Sequence, residues 1–276
     1  MVSRTLVWLR DDLRVADNPA LHHAIQRGGE VVVAYVLDDE TTAIRPLGGA
    51  SRWWLHQSLA ALSAELERRG ARLTLRRGAA ADVIPSLVDE SGADAVFWNR
   101  RYGKAARDAD AALKSSLRDR ELDVSSFQGS LLFEPWTVQT GQGTPFKVFT
   151  PFYRACLEQP EPRHPFPAPS DIPSPATALP SDDLDSWALE PSRPDWAGGL
   201  RDRWEPGEKG RTAPSRRSSA TISPTTPTAT SRPTTRRATS PRSSASARSA
   251  PSRSGTACAA TSRRTRRGRW GLSSAR

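Results

Sequence analysis

Between Arg211 and Arg276 the sequence has no acidic residue and no Val, Phe, Tyr or Met, and 59 of these 66 positions are Ser, Thr, Pro, Ala or Arg. Such a stretch cannot bury enough apolar surface to offset the entropy of ordering its backbone, so it is predicted to be disordered. Cysteine is nearly as scarce. Cys156 and Cys258 are too few and too far apart for a disulfide framework or a metal site, and a reducing cytoplasm is the expected compartment. The opening MVSRTLVWLRDDLR has an apolar run of only five residues, Thr5 to Leu9, before charge interrupts it. That is too short for a secretion signal or a membrane span, so no membrane partner is expected. No Gly-x-Gly-x-x-Gly follows this run, which argues against a dinucleotide site of the usual kind.

Charge divides at the same point as composition. The formal charge is +10, but 15 of the 40 Lys and Arg residues, and none of the 30 acidic ones, lie after Gly210. Residues 1–210 therefore carry about −5, and the basic excess that ordinarily indicates nucleic-acid or membrane binding belongs to the Arg-rich stretch alone. That stretch has Trp270 as its only aromatic residue and no readout motif, so it predicts at most nonspecific, salt-sensitive contact with nucleic acid.

What remains has a regular pattern. Residues 5–9, 30–37, 72–76, 94–98 and 122–126 are short apolar or β-branched segments and read as strands. Helical periodicity fills the intervals at Pro19–Arg27, Ala50–Arg69, Ala80–Ser91 and Gly103–Arg120. Leu55, Leu59, Leu62 and Leu66 recur on one face of the second, with Gly70 as its stop. The alternation predicts an α/β fold, a five-stranded doubly wound parallel sheet of Rossmann-like type. In such sheets ligands sit at the carboxyl ends of the strands, which here are the loops Arg10–Arg14, Asp38–Gly49 and Asn99–Tyr102. After Phe127 the alternation stops, and the prolines between Pro160 and Pro194 read as a linker. The short stretch WAGGLRDRWEPGEKG, Trp196 to Gly210, precedes the composition break.

Several blocks carry a resemblance. Trp8-Leu9-Arg10-Asp11-Asp12-Leu13-Arg14 followed by Asp17-Asn18-Pro19-Ala20-Leu21 resembles the opening of the DNA photolyase and cryptochrome family. Ser51-Arg52-Trp53-Trp54-Leu55-His56-Gln57-Ser58-Leu59 is similar to that family's second helix, and Trp98-Asn99-Arg100-Arg101-Tyr102 to its fourth-strand exit. Phe127-Gln128-Gly129-Ser130-Leu131-Leu132 and Pro145-Phe146-Lys147-Val148-Phe149-Thr150-Pro151-Phe152 resemble the passage out of the α/β domain. All five stand in the family's order within residues 3–210.

The resemblance implies a deoxyribodipyrimidine photolyase: FAD in a C-terminal all-helical domain passes a photoexcited electron to a pyrimidine dimer flipped out of damaged DNA, and the α/β domain holds an antenna chromophore. It divides the chain into the α/β domain (1–135), a linker with the start of the FAD domain (136–210) and the Arg-rich stretch (211–276), with the helical FAD domain missing. The candidate antenna pocket comprises Arg10, Asp12, Asp38, Arg52, Trp53, Asn99 and Arg100; no catalytic residue and no metal ligand is assigned. Arg10, Asp12 and Arg14 have the alternative role of ion pairs that shape the loop. Trp53 and Trp54, adjacent on a helix, point about 100° apart and cannot both face the core. Folate-binding relatives carry an Asn-Glu pair where this chain has Ala105 and Ala106, which points to a deazaflavin or flavin antenna, or none, rather than folate. The chain is expected to be a monomer. A cryptochrome-type blue-light photoreceptor and a stand-alone nucleotide-binding α/β module are the alternative functions.

The Arg-rich stretch has the composition of a wrong-frame translation. When each new codon takes the third base of one residue's codon and the first two of the next, Pro241–Pro251 (PRSSASARSAP) can be reread as PLLRFGEISP. The family's helical domain carries a segment of the form SPHLRFGEISP. Arg217–Thr228 (RSSATISPTTPT) likewise can give FLxDDLADYAD, an amphipathic acidic helix start. The expected frame change lies near Gly210, and the chain is therefore expected to be an inactive truncation.

Overall fold

Parallel pairing of apolar strands needs helical crossovers, and the chain supplies one after each of its first four strands. The computed structural model describes residues 2–212. The strands are β1 (Arg4–Leu9), β2 (Glu30–Leu37), β3 (Leu73–Arg77), β4 (Ala95–Asn99) and β5 (Asp123–Phe127). They form one parallel sheet in the order β3-β2-β1-β4-β5, the predicted doubly wound α/β fold. The last three strands each lie one residue later than the apolar pattern placed them.

The connecting helices are α1 (Pro19–Arg27), α2 (Gly49–Glu67), α3 (Ala80–Ser91) and α4 (Lys104–Arg118). Asn18 caps α1 by accepting from the Leu21 amide, with Pro19 in its first turn. Strand alternation sends Val7 and Leu9 to one face of the sheet, where α1 and α2 cover them with Leu21, Leu55, Leu59 and Leu62. Leu6 and Trp8 go to the other face and meet Ile84 and Leu87 of α3 and Leu113 and Leu117 of α4. Every residue of β2 from Val31 to Leu37 is buried, as a strand covered on both faces requires.

The proline-rich segment, which composition marks as a linker, lies along the β3 side of this sheet. Its backbone pairs with groups that the sheet and α2 leave open: Asp182 N–H donates to Leu75 O of the edge strand β3 (2.9 Å), Ile172 N–H to Arg69 O just after α2 (2.8 Å), and Pro173 O accepts from Val31 N–H at the start of β2 (2.6 Å). Ile172, Trp187 and Leu189 are buried in the core on the α1/α2 face. Helix α5 (Phe149–Leu157) buries none of its residues, and Phe149, Tyr153 and Leu157 are exposed. Two short helices, α6 (Gly198–Arg201) and α7 (Glu208–Thr212), follow. The disorder expected for 211–276 concerns residues that, beyond Thr212, lie outside the described residues. Among the described residues no helix is long and apolar enough to cross a membrane.

Candidate functional site

β1 and β4 are neighbours in the sheet, but their following helices pack on opposite faces, so their outgoing loops separate and leave a crevice. Arg10, Asp12 and Asn99 meet there and are all buried. Asn99 Nδ2 donates to Asp12 Oδ2 and to Asn18 Oδ1 (2.9 Å), while its Oδ1 accepts from the Ala20 amide (3.0 Å). Asp12 Oδ1 accepts from the Arg10 amide (2.8 Å). One asparagine thus ties the end of β4, the loop after β1 and the start of α1 together. Gly129 lies against it: a Cβ there would come within 2.8 Å of Asn99 Cβ.

Arg10 points inward, donating to Asp110 Oδ2 (2.8 Å) and to the Asn99 carbonyl, with its guanidinium carbon 4.4 Å from the Trp8 ring centroid. Burial lowers its pKa and Asp110 opposes that shift. Arg101 takes the other Asp110 oxygen (2.6 Å), so a single carboxylate bridges two guanidinium groups. Trp8 Nε1, Arg10 Nε and Arg101 Nε are buried donors with no protein partner. Unsatisfied donors of this kind are costly in a core and useful in a site that receives an acceptor.

Three hollows open on this face. A cleft of about 450 Å³ is lined by Arg10, Arg14, Tyr35, Trp54, Leu55 and Glu208 among others. A second of about 310 Å³ lies between Trp8, Asp38, Ile44, Arg101 and the Ala109–Leu113 face of α4. A third of about 440 Å³ is bordered by Asn99, Arg100, Tyr102 and Ala106. Burial beside Asp11 and Asp39 pushes the Tyr35 phenol up, so it remains a neutral hydrogen-bonding group at the cleft.

The seven predicted pocket residues divide by position. Arg10 and Asp12 line both the first and third hollows, Asn99 and Arg100 the third, and Asp38 the second. Arg100 is engaged with Glu134 (2.7 Å). Asp38 accepts from Thr41 and from the Ala80 amide (3.1 Å), supplying the cap that Ala79 cannot give α3. Burial, which raises the Asp38 pKa, is outweighed by these hydrogen bonds and one from Glu40, and the carboxyl lies below its usual range. Arg52 braces the preceding loop through Asp39 (2.8 Å) and the Leu47 carbonyl. Trp53 is 1% exposed in the interior, whereas Trp54, 42% exposed, lines the first cleft.

Sequence reasoning did not reach Asp110, Tyr35 or Glu208, and it placed Arg101 only within the Asn99–Tyr102 loop. Asp110 did carry a signal: it is spaced with Leu113 and Leu117 on the buried face of α4, where a lone acid needs a basic partner.

A doubly wound sheet whose strand-end loops border clefts with basic, acidic and aromatic walls belongs to the ligand-binding α/β class. The DNA photolyase family pattern matches residues 5–170. The chain belongs to the photolyase/cryptochrome family, and its sheet is that family's N-terminal domain. It is 46% identical over 205 residues, 74% of its length, to a deoxyribodipyrimidine photo-lyase of Agrobacterium fabrum, of which it covers 42%. It is 37% identical over 161 residues, 57% of its length, to Cryptochrome-2 of Arabidopsis thaliana, of which it covers 26%. Its fold superposes on a bacterial class III photolyase from Agrobacterium tumefaciens with a TM-score of 0.72 and 45% identity, covering 76% of this chain and 43% of that one. The chain therefore spans less than half the length of these relatives.

Proposed function

We propose that this chain is the antenna half of a light-driven, FAD-dependent photolyase acting on pyrimidine dimers in DNA, and that as given it lacks the flavin site and is inactive. The observation that carries this reading is the 46% identity to a deoxyribodipyrimidine photo-lyase, set beside a composition break after Gly210 whose rereading restores a photolyase-like helical segment. The domain division at 135 and 210, cytoplasmic location and a monomeric state belong to the same reading. FAD in the complete protein supplies the electron; the described residues supply the sheet and its clefts.

The antenna pocket is assigned to the hollows around Arg10, Asp12 and Asn99. Unpartnered N–H groups of Arg10 and Arg101, which both border the third hollow, fit the acceptor-rich edge of a flavin or deazaflavin ring, and Trp54 gives an apolar wall to the first hollow, which Arg10 also lines. Ala105 and Ala106 at the positions of the family's folate-contacting pair favour that choice over folate. The 37% identity to Cryptochrome-2 supports a second reading, a blue-light photoreceptor. Blue-light repair of an oligonucleotide containing a thymine dimer separates the two once the frame is corrected near Gly210: repair is expected, and a flavin-loaded protein without repair would favour the photoreceptor.

A further inference from the structure

The stretch Trp204-Glu205-Pro206-Gly207-Glu208 has no assigned role, yet it makes three separate contacts, one with the loop after β1 and two with α2. Glu208 accepts two backbone hydrogen bonds through its carboxylate, from Val15 N–H to Oε2 and from Ala16 N–H to Oε1, both 3.0 Å. Those consecutive amides belong to the loop that leaves β1 and carries Arg10 and Asp12, and a carboxylate is the ligand that paired amides hold best. Gly207 has φ +100°, and a Cβ there would lie 2.8 Å from Ala61 Cβ on the outer face of α2. Only glycine both adopts that backbone and allows the approach. Trp204 meets Trp54 edge to face, with centroids 6.1 Å apart. Gly207 and Glu208 also form one wall of the 450 Å³ cleft, opposite Arg10 and Tyr35.

We propose that Trp204–Glu208 is a docking turn that seats the chain emerging from the proline-rich segment on the strand-end face, with the Glu208 carboxylate in the Val15–Ala16 amide pair as its anchor. The anchor sets where the following residues start relative to the loop that holds Arg10, and the seated turn completes the cleft. Glu208 is thus a positioning residue.

The test is amide hydrogen exchange at Val15 and Ala16 in the full chain, read beside trypsin cleavage after Arg203. Glu208→Ala removes the acceptor, whereas Gly207→Ala and Ala61→Leu obstruct the seat without touching either amide. All three are expected to raise exchange at Val15 and Ala16 by at least about tenfold, to speed cleavage after Arg203, and to leave the β1 amides protected. Glu208→Asp, which keeps the charge on a shorter side chain, is expected to fall between Glu208→Ala and the parent. Unchanged exchange in Glu208→Ala would overturn the anchor. Unchanged exchange in Ala61→Leu would overturn the docking turn, since Glu208 would then act only locally. Should Gly207→Ala fail to fold, Ala61→Leu decides, because Ala61 is an exposed helix position.

Discussion

Asn99 shows how a single side chain fixes three pieces of backbone. Its amide makes hydrogen bonds with Asp12, Asn18 and the Ala20 N–H, all inside the structure. Asn99→Ala removes all three bonds, takes the acceptor from the buried Ala20 N–H and one donor each from Asp12 and Asn18, and is expected to cost roughly 3 kcal/mol in denaturant unfolding. Gly129→Ala drives a methyl group into Asn99 and is expected to cost about 2 kcal/mol by the same measurement. Asp38 gives a pH signature. Its folded pKa is depressed below the ordinary 3.8, so its contribution is fully present above that value and is lost as pH falls below it. Asp38→Asn is expected to lower stability at pH 7 by about 1 kcal/mol, the scale of a lost helix cap, with the difference shrinking below about pH 4. Equal differences at pH 7 and pH 3 would contradict the role. Arg10, Asp12 and Asn99 were legible because they sit at strand ends within recognisable blocks. The Arg10–Asp110–Arg101 bridge was not, since its members are separated by many residues and only the fold brings them together.

Among the elements, α2 was the plainest in sequence, because its leucines follow helical spacing and all four are buried. The strands were placed to within a residue, since buried parallel strands are nearly continuous apolar runs. The proline-rich segment read differently from how it packs. Proline, serine and aspartate outweigh Ile172, Trp187 and Leu189 in a composition average, but these three enter the core while the polar residues face outward or pair with β3. Isolated anchors in an irregular chain have no period to detect. Ile172→Ala, at a site 1% exposed, is expected to cost about 3 kcal/mol, and chemical denaturation of the full chain checks it. A loss below about 1 kcal/mol would mean that the segment lies on the domain without stabilising it.

Across the whole molecule the α/β sheet and its family were legible, while the pattern of unpaired donors beside the clefts was not. Ring-binding sites depend on which donors are left unpaired, and that emerges only from the folded network of Trp8, Arg10 and Arg101. Phe149, Tyr153 and Leu157 of α5 present an exposed apolar face, which under the proposed reading a helical domain of the frame-corrected protein would cover. The frame change proposed near Gly210 would leave the antenna half of a photolyase without its flavin site. The direct measurement is FAD per chain, by absorbance after gel filtration, for the chain as given and for the frame-corrected product. No stoichiometric FAD is expected in the first and one FAD per chain in the second. One FAD per chain in the first, or none in a soluble corrected product, would contradict the proposal.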